Sequence, residues 1–199
     1  MTAEIISIGT ELLLGEIIDT NAAFLSRNLA DLGIDVYFRR TVGDNLERLT
    51  GELRHALSRA DIVILCGGLG PTEDDITREA IARATDRELV LFPEAERRLR
   101  EFFAARGRPL TPNNLRQAYA PEGAELLDNA VGTAPGIFLQ HEARIIIALP
   151  GPPTELEPMW REQVVPRLRA LLAEAGGGRS VYTRVLRLAD IGESQAAHI

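Results

Sequence analysis

The 199 residues include 45% hydrophobic and 26% charged side chains, enough apolar mass for a domain core without a metal or disulfide staple. A net charge of −7 with no clustered basic run leaves no electrostatic footprint for sequence-independent binding to nucleic-acid phosphates. All 22 basic residues are arginine, which excludes Schiff-base and P-loop lysine chemistry, and the single cysteine, Cys66, excludes an intrachain disulfide.

Ala3–Gly9 is short, apolar and β-branched, and predicts a buried strand. Asn21–Leu32 follows as a helix with Leu25, Leu29 and Leu32 on one face and Gly33 as its C-terminal stop. Ile34–Val42 is a second strand. Leu46–Ala60 is a helix with Leu46, Leu49, Leu53 and Leu57 on one stripe. Ile62–Leu65 is a third strand and Ile76–Thr85 a third helix. Three strand–helix alternations predict βαβ units and a parallel sheet covered on both faces.

Farther along, Pro93–Arg106 and Asn113–Ala118 are predicted helices. Gly136–Gln140 and Arg144–Leu149 are strands joined as a hairpin. Glu155–Ala175 is helical with a kink expected at Pro166. Gly176–Gly178 is a hinge and Tyr182–Leu188 a last strand. No signal-peptide pattern or 18-residue apolar stretch appears, so a cytoplasmic protein with no membrane partner is expected.

Four loops carry candidate chemistry, and each follows a predicted strand. Gly67-Gly68-Leu69-Gly70-Pro71-Thr72-Glu73-Asp74-Asp75 joins a strand to a helix, where glycines let a backbone approach an anion and a helix start favours negative charge. It is neither a Walker A loop nor a G-x-G-x-x-G fingerprint. Thr72-x-x-Asp75 also fits a capping box, and Asp44 after the second strand fits an N-cap. Gly9-Thr10-Glu11, with Asp19 or Thr20 capping the next helix, is the third loop; Pro150-Gly151-Pro152 is the fourth. Position favours function over four separate caps, because ligands of open α/β sheets bind at the carboxyl edge of the strands. Acids beside a phosphate loop call for a divalent ion between them. Cys66 reads as a buried strand-end thiol, Met159 and Trp160 as core or subunit contacts, and Arg97, Arg98 and Arg100 as a solvated helix face.

Taken together, Gly9-Thr10-Glu11-Leu12-Leu13 with Gly15, Asp19-Thr20-Asn21, Gly67–Thr77, Asn114-x-x-Gln117-Ala118, Asn129, Val131–Gly136 and Leu149–Pro153 resemble the CinA (competence/damage-inducible) family. The Gly67–Thr77 loop is similar to that of the wider MoaB/MogA molybdopterin-binding superfamily. The match runs from about residue 3 to about residue 160, in order. Leu69 departs from the superfamily's usual threonine, and Arg116 from a frequent lysine.

The resemblance implies an α/β protein: a three-layer α/β/α sandwich with a mostly parallel sheet. Residues 1–172 would form this domain, and 173–199 a hinge and the start of a truncated or vestigial middle domain. The family's deamidase half is absent, so no deamidase is assigned. The resemblance also implies hydrolysis of ADP-ribose to AMP and ribose 5-phosphate. The alternative is a molybdopterin- or nucleotide-binding module without turnover; a third reading makes every acid a cap.

On the leading reading, Asp44, Asp75 and Glu11 are catalytic, and Asp44, Asp74 and Asp75 hold a divalent metal ion, Mg2+ or a transition metal such as Co2+. Gly67, Gly68, Gly70, Thr72, Asn21, Arg116, Pro150 and Gly151 bind a small phosphorylated nucleotide or pterin. A homo-oligomer, dimer or trimer, is implied by resemblance alone.

Overall fold

A computed structural model describes residues 1–174. Its first half follows the expected alternation: β1 (Thr2–Ile8), α1 (Thr10–Leu13), α2 (Thr20–Asp31), β2 (Asp35–Val42), α3 (Leu46–Leu57), β3 (Ile62–Cys66) and α4 (Thr77–Ala84). A small lobe comes next: β4 (Leu89–Leu91), α5 (Pro93–Ala104), α6 (Pro112–Leu115) and β5 (Tyr119–Pro121). The chain returns to the sheet with β6 (Glu125–Leu127), β7 (Gly136–His141) and β8 (Arg144–Leu149), then finishes in α7 (Pro153–Met159) and α8 (Val165–Glu174).

Six strands form one sheet in the order β2-β1-β3-β8-β7-β6. The first four are mutually parallel; β7 and β6 are antiparallel additions. Every residue of β3 is buried, as befits a central strand with both faces covered. One core, around Ile6, Val63, Leu65 and Ile146, packs beneath α3 and α4 through Leu49, Leu53 and Ile81. A second, around Ile5, Ile64 and Ile147, packs against α2 and α7 through Leu25, Leu29, Leu156 and Trp160. The result is the expected three-layer α/β/α sandwich. Strand order reverses at β1/β3, so the loops after these strands part and leave a crevice at the carboxyl edge.

β7 and β8 form the predicted hairpin, with Glu142 in the left-handed region at φ 53°. Met159 and Trp160 are core residues, and Arg97 and Arg100 pair with Glu94, Glu101 and Glu96 on an exposed helix face. The kink expected at Pro166 starts earlier. Residues Trp160–Val164 form a π-helical segment, and the Val165 N–H donates to Trp160 O, five residues back. The wider turn precedes a proline that has no N–H to give. The three-residue strands β4, β5 and β6 were not expected.

No helix among the described residues is long and apolar enough to cross a membrane. The expected hinge, the strand at 182–188 and the start of a middle domain lie outside the described residues.

Candidate functional site

The loops after β1, β2, β3 and β8 meet at one cavity of about 470 Å³, lined by Gly9, Glu11, Asp44, residues 67–71, Asp74, Asp75, Pro150 and Gly151. Four segments spread over some 140 residues of sequence thus share a single rim because their strands are adjacent and parallel.

The glycine loop is built from below. Gly67 and Gly68 take φ values of 102° and 66°. Thr77 donates its Oγ1–H to Gly67 O at 2.7 Å and its N–H to Gly68 O at 3.1 Å. The buried Arg78 guanidinium donates through Nη1 to Leu69 O at 2.7 Å and through Nη2 to Gly70 O at 2.6 Å. Four consecutive carbonyls are therefore held by the start of α4. A Cβ at position 68 would stand 2.3 Å from Thr77 Oγ1. Gly68→Ala adds that clash to left-handed strain, and a loss of about 2–4 kcal/mol is expected. Thermal unfolding checks it: a fall of about 4–12 °C is the expected result, and an unchanged melting temperature refutes it.

The amide side of the loop corrects an expectation. The Gly67 N–H donates to Leu149 O at 2.9 Å, and the Gly70 N–H to Asp75 Oδ1 at 2.7 Å. Of residues 67–70, only Gly68 and Leu69 have N–H groups that find no acceptor among the described residues. A cradle of Gly67, Gly68 and Gly70 amides is thus replaced by the Gly68–Leu69 pair. The Leu69 side chain is itself buried in the core.

Two of the three capping readings fail. α4 begins at Thr77 behind Ile76, with no side-chain cap, so Thr72 and Asp75 belong to the loop. Asp75 Oδ2 accepts from the Thr72 N–H at 2.8 Å and from Thr72 Oγ1–H at 2.6 Å, completing a staple across the turn. Asn45, not Asp44, caps α3, accepting from the Arg48 N–H at 3.0 Å. Asp44 Oδ2 instead accepts from the Thr10 N–H at 2.9 Å and Thr10 Oγ1–H at 2.7 Å, tying the β2 loop to the β1 loop. Asp19 does cap α2, accepting from the Ala22 N–H at 2.9 Å.

Asp44 Oδ1 and the carboxylates of Glu11 and Asp74 have no hydrogen-bond donor among the described residues. No basic side chain lines the cavity, and no three His, Cys, Asp or Glu side chains among the described residues converge as a preformed metal cage.

Three expected ligand contacts brace the walls instead. Arg116 donates to Thr72 O at 3.2 Å and to Glu79 Oε1 at 2.9 Å. Thr72 serves the staple. Asn21 Nδ2–H donates to Gly151 O at 2.7 Å and lines an adjoining cavity of about 350 Å³ that shares Ile8, Glu11, Gly151 and Pro152 with the first. Cys66 is buried as expected; burial pushes its thiol far above the ordinary range, with the Asp19 carboxylate adding to the effect.

Gln117, Thr133, Ala134 and Glu155 also line the main cavity, although sequence reasoning assigned them no role. Asn129 holds this wall, donating to Glu155 Oε2 at 2.6 Å and Ala134 O at 2.9 Å. The Asn114-x-x-Gln117 and Asn129…Thr133 spacings were the available signals.

Comparison with known proteins gives a consistent result. Residues 4–170 match a family model described as "Probable molybdopterin binding domain". A "CinA-like protein" of Dictyoglomus turgidum is 52% identical over 194 residues, covering 98% of this chain and 46% of that protein. The chain thus spans about half the length of the curated relatives it matches. The crystal structure of CinA from Thermoplasma acidophilum superposes with a TM-score of 0.78 at 34% identity, covering 83% of this chain and 96% of that one. MoaB of Thermus thermophilus shares the fold, with a TM-score of 0.60 at 21% identity over 89% of this chain and 99% of that one.

Proposed function

This chain belongs to the molybdopterin-binding domain family, in its CinA branch, and we propose that its sheet-edge cavity hydrolyses ADP-ribose to AMP and ribose 5-phosphate. The observation that carries the reading is the convergence of unpaired carboxylates and two free backbone amides on one cavity. The amides suit a phosphate oxygen, and the carboxylates suit a cation and a proton.

A diphosphate against Glu11, Asp44 and Asp74 is electrostatically unfavourable by itself. The donors present fit a hard divalent ion that takes one or two carboxylates and completes its shell with phosphate oxygens and water, which requires no preformed cage. Asp44, through Oδ1, and Asp74 would hold it. When bound, such an ion supplies neutralisation of the diphosphate and polarisation of its phosphoryl oxygens.

The residues do the rest. Gly68 and Leu69 N–H groups donate to one phosphate and fix its orientation. Asp75 is a positioning residue that keeps those amides in place. Glu11 accepts a proton from water as the water oxygen bonds to one phosphorus. The bond from that phosphorus to the bridging oxygen breaks, and the departing phosphate monoester carries away the electron pair. Glu11→Gln is expected to lower AMP release by about 10²–10⁴-fold with little change in KM. Chromatography of ADP-ribose digests with Mg2+ measures this, and turnover at the wild-type rate sinks the assignment.

The same two amides also suit a pterin phosphate. The binding-module reading predicts thermal stabilisation by a phosphorylated pterin, with no AMP released from ADP-ribose.

A further inference from the structure

In the sheet-edge cavity, Glu11, Asp44, Asp74 and Asp75 come from the loops after β1, β2 and β3, and Thr133 and Ala134, just ahead of β7, line another part of it with Glu155 beside them; Gln117 also lines it. Gln117 is a polar side chain only 2% exposed, and its Oε1 is buried without any hydrogen-bond partner among the described residues. A buried amide oxygen without a donor is unfavourable in the ligand-free protein and is found where a ligand completes it.

Thr133 also lines a second cavity of about 240 Å³, where Phe92, Leu99, Phe102, Leu126 and Pro135 stand beside the charged Glu94, Arg98 and Asp128.

We propose that Gln117 reads the base of the bound nucleotide: its amide pairs with the adjacent donor and acceptor on the edge of an aminopurine at the part of the cavity it lines. This deepens, and rests on, the ADP-ribose reading. A glutamine amide offers one acceptor and two donors side by side, the complement of the amino group and ring nitrogen of adenine. The diphosphate then lies over the glycine loop.

The test compares ADP-ribose with inorganic pyrophosphate and ribose 5-phosphate, which have no base, by calorimetric titration of the full chain with Mg2+. Gln117→Met is expected to weaken ADP-ribose about 10–100-fold. Pyrophosphate and ribose 5-phosphate should change less than about twofold, because they lack the edge that Gln117 pairs with. Ligand-free melting should stay level or rise, because an unpaired buried amide oxygen is removed; a merely structural glutamine would lower it. Gln117→Leu serves the same comparison if the methionine variant does not fold. Unchanged ADP-ribose affinity, or equal losses for all three probes, overturns the proposal. AMP release is read in the same samples. Turnover with unaltered affinity in the variant defeats base recognition alone, while Gln117-dependent binding without AMP release defeats the hydrolase reading alone. A wild-type protein that binds pyrophosphate but not ADP-ribose defeats both.

Discussion

Asp75→Asn is expected to lower AMP release by about 100-fold or more, because displacing a reacting group by about 1 Å is enough for such a loss. The carboxylate accepts three hydrogen bonds, from the Gly70 N–H, the Thr72 N–H and the Thr72 hydroxyl. An asparagine has one oxygen. Whichever way its amide turns, the NH2 group faces a backbone N–H that has lost its acceptor. That conflict costs about 1–3 kcal/mol and moves the loop. Gly68 and Leu69 immediately precede the stapled Gly70 and move with it. A fall in melting temperature of about 3–10 °C should accompany the loss of turnover. Unfolding curves and AMP chromatography on one preparation check both. A variant that melts lower but turns over at the wild-type rate refutes the positioning role.

Arg78→Met should have the largest effect on stability. Arg78 is 2% exposed, and burial lowers its pKa, opposed by the negative charges of Glu79 and Asp75. Methionine retains much of the apolar stem but leaves Leu69 O and Gly70 O without donors. Two charge-assisted bonds of this kind account for about 3–5 kcal/mol. The melting temperature should fall by about 6–20 °C. Arg78→Lys should recover part of this, since an ammonium can reach one carbonyl but lacks the planar fork that spans two. A fall below about 2 °C in the methionine variant refutes the assignment.

The centre of the sheet was legible because its strands are covered on both faces. Ile62–Leu65 is a continuous apolar run and Ala3–Gly9 is broken only by Glu4 and Ser7, and the observed strands Thr2–Ile8 and Ile62–Cys66 differ only at their ends. The leucine stripe of Leu46–Leu57 is likewise a local, periodic feature. Leu89–Leu91, Tyr119–Pro121 and Glu125–Leu127 were not legible, because three residues cannot display a period and one of them is a proline. The glycine loop was visible by composition. Its chemistry was misread where it depended on neighbours: Asp44 and Asp75 fit caps by spacing, yet one ties two loops together and the other staples its own turn.

Arg78 shows the same division from the other side. Read locally, it is an ordinary charged residue in the first turn of a helix; only the packing of α4 under residues 67–70 turns it into the donor for two carbonyls. Gln117 lay inside a recognised spacing, but that its amide oxygen has no partner among the described residues follows from what surrounds it in space.

Chain-local chemistry determined where strands end, and parallel pairing of those strands then placed their loops on a common rim. Which carboxylates remain free and which are consumed was decided only by the tertiary structure. An acid's role depends on the nearest hydrogen-bond donor, and for Asp44 that donor is Thr10, 34 residues away in the chain.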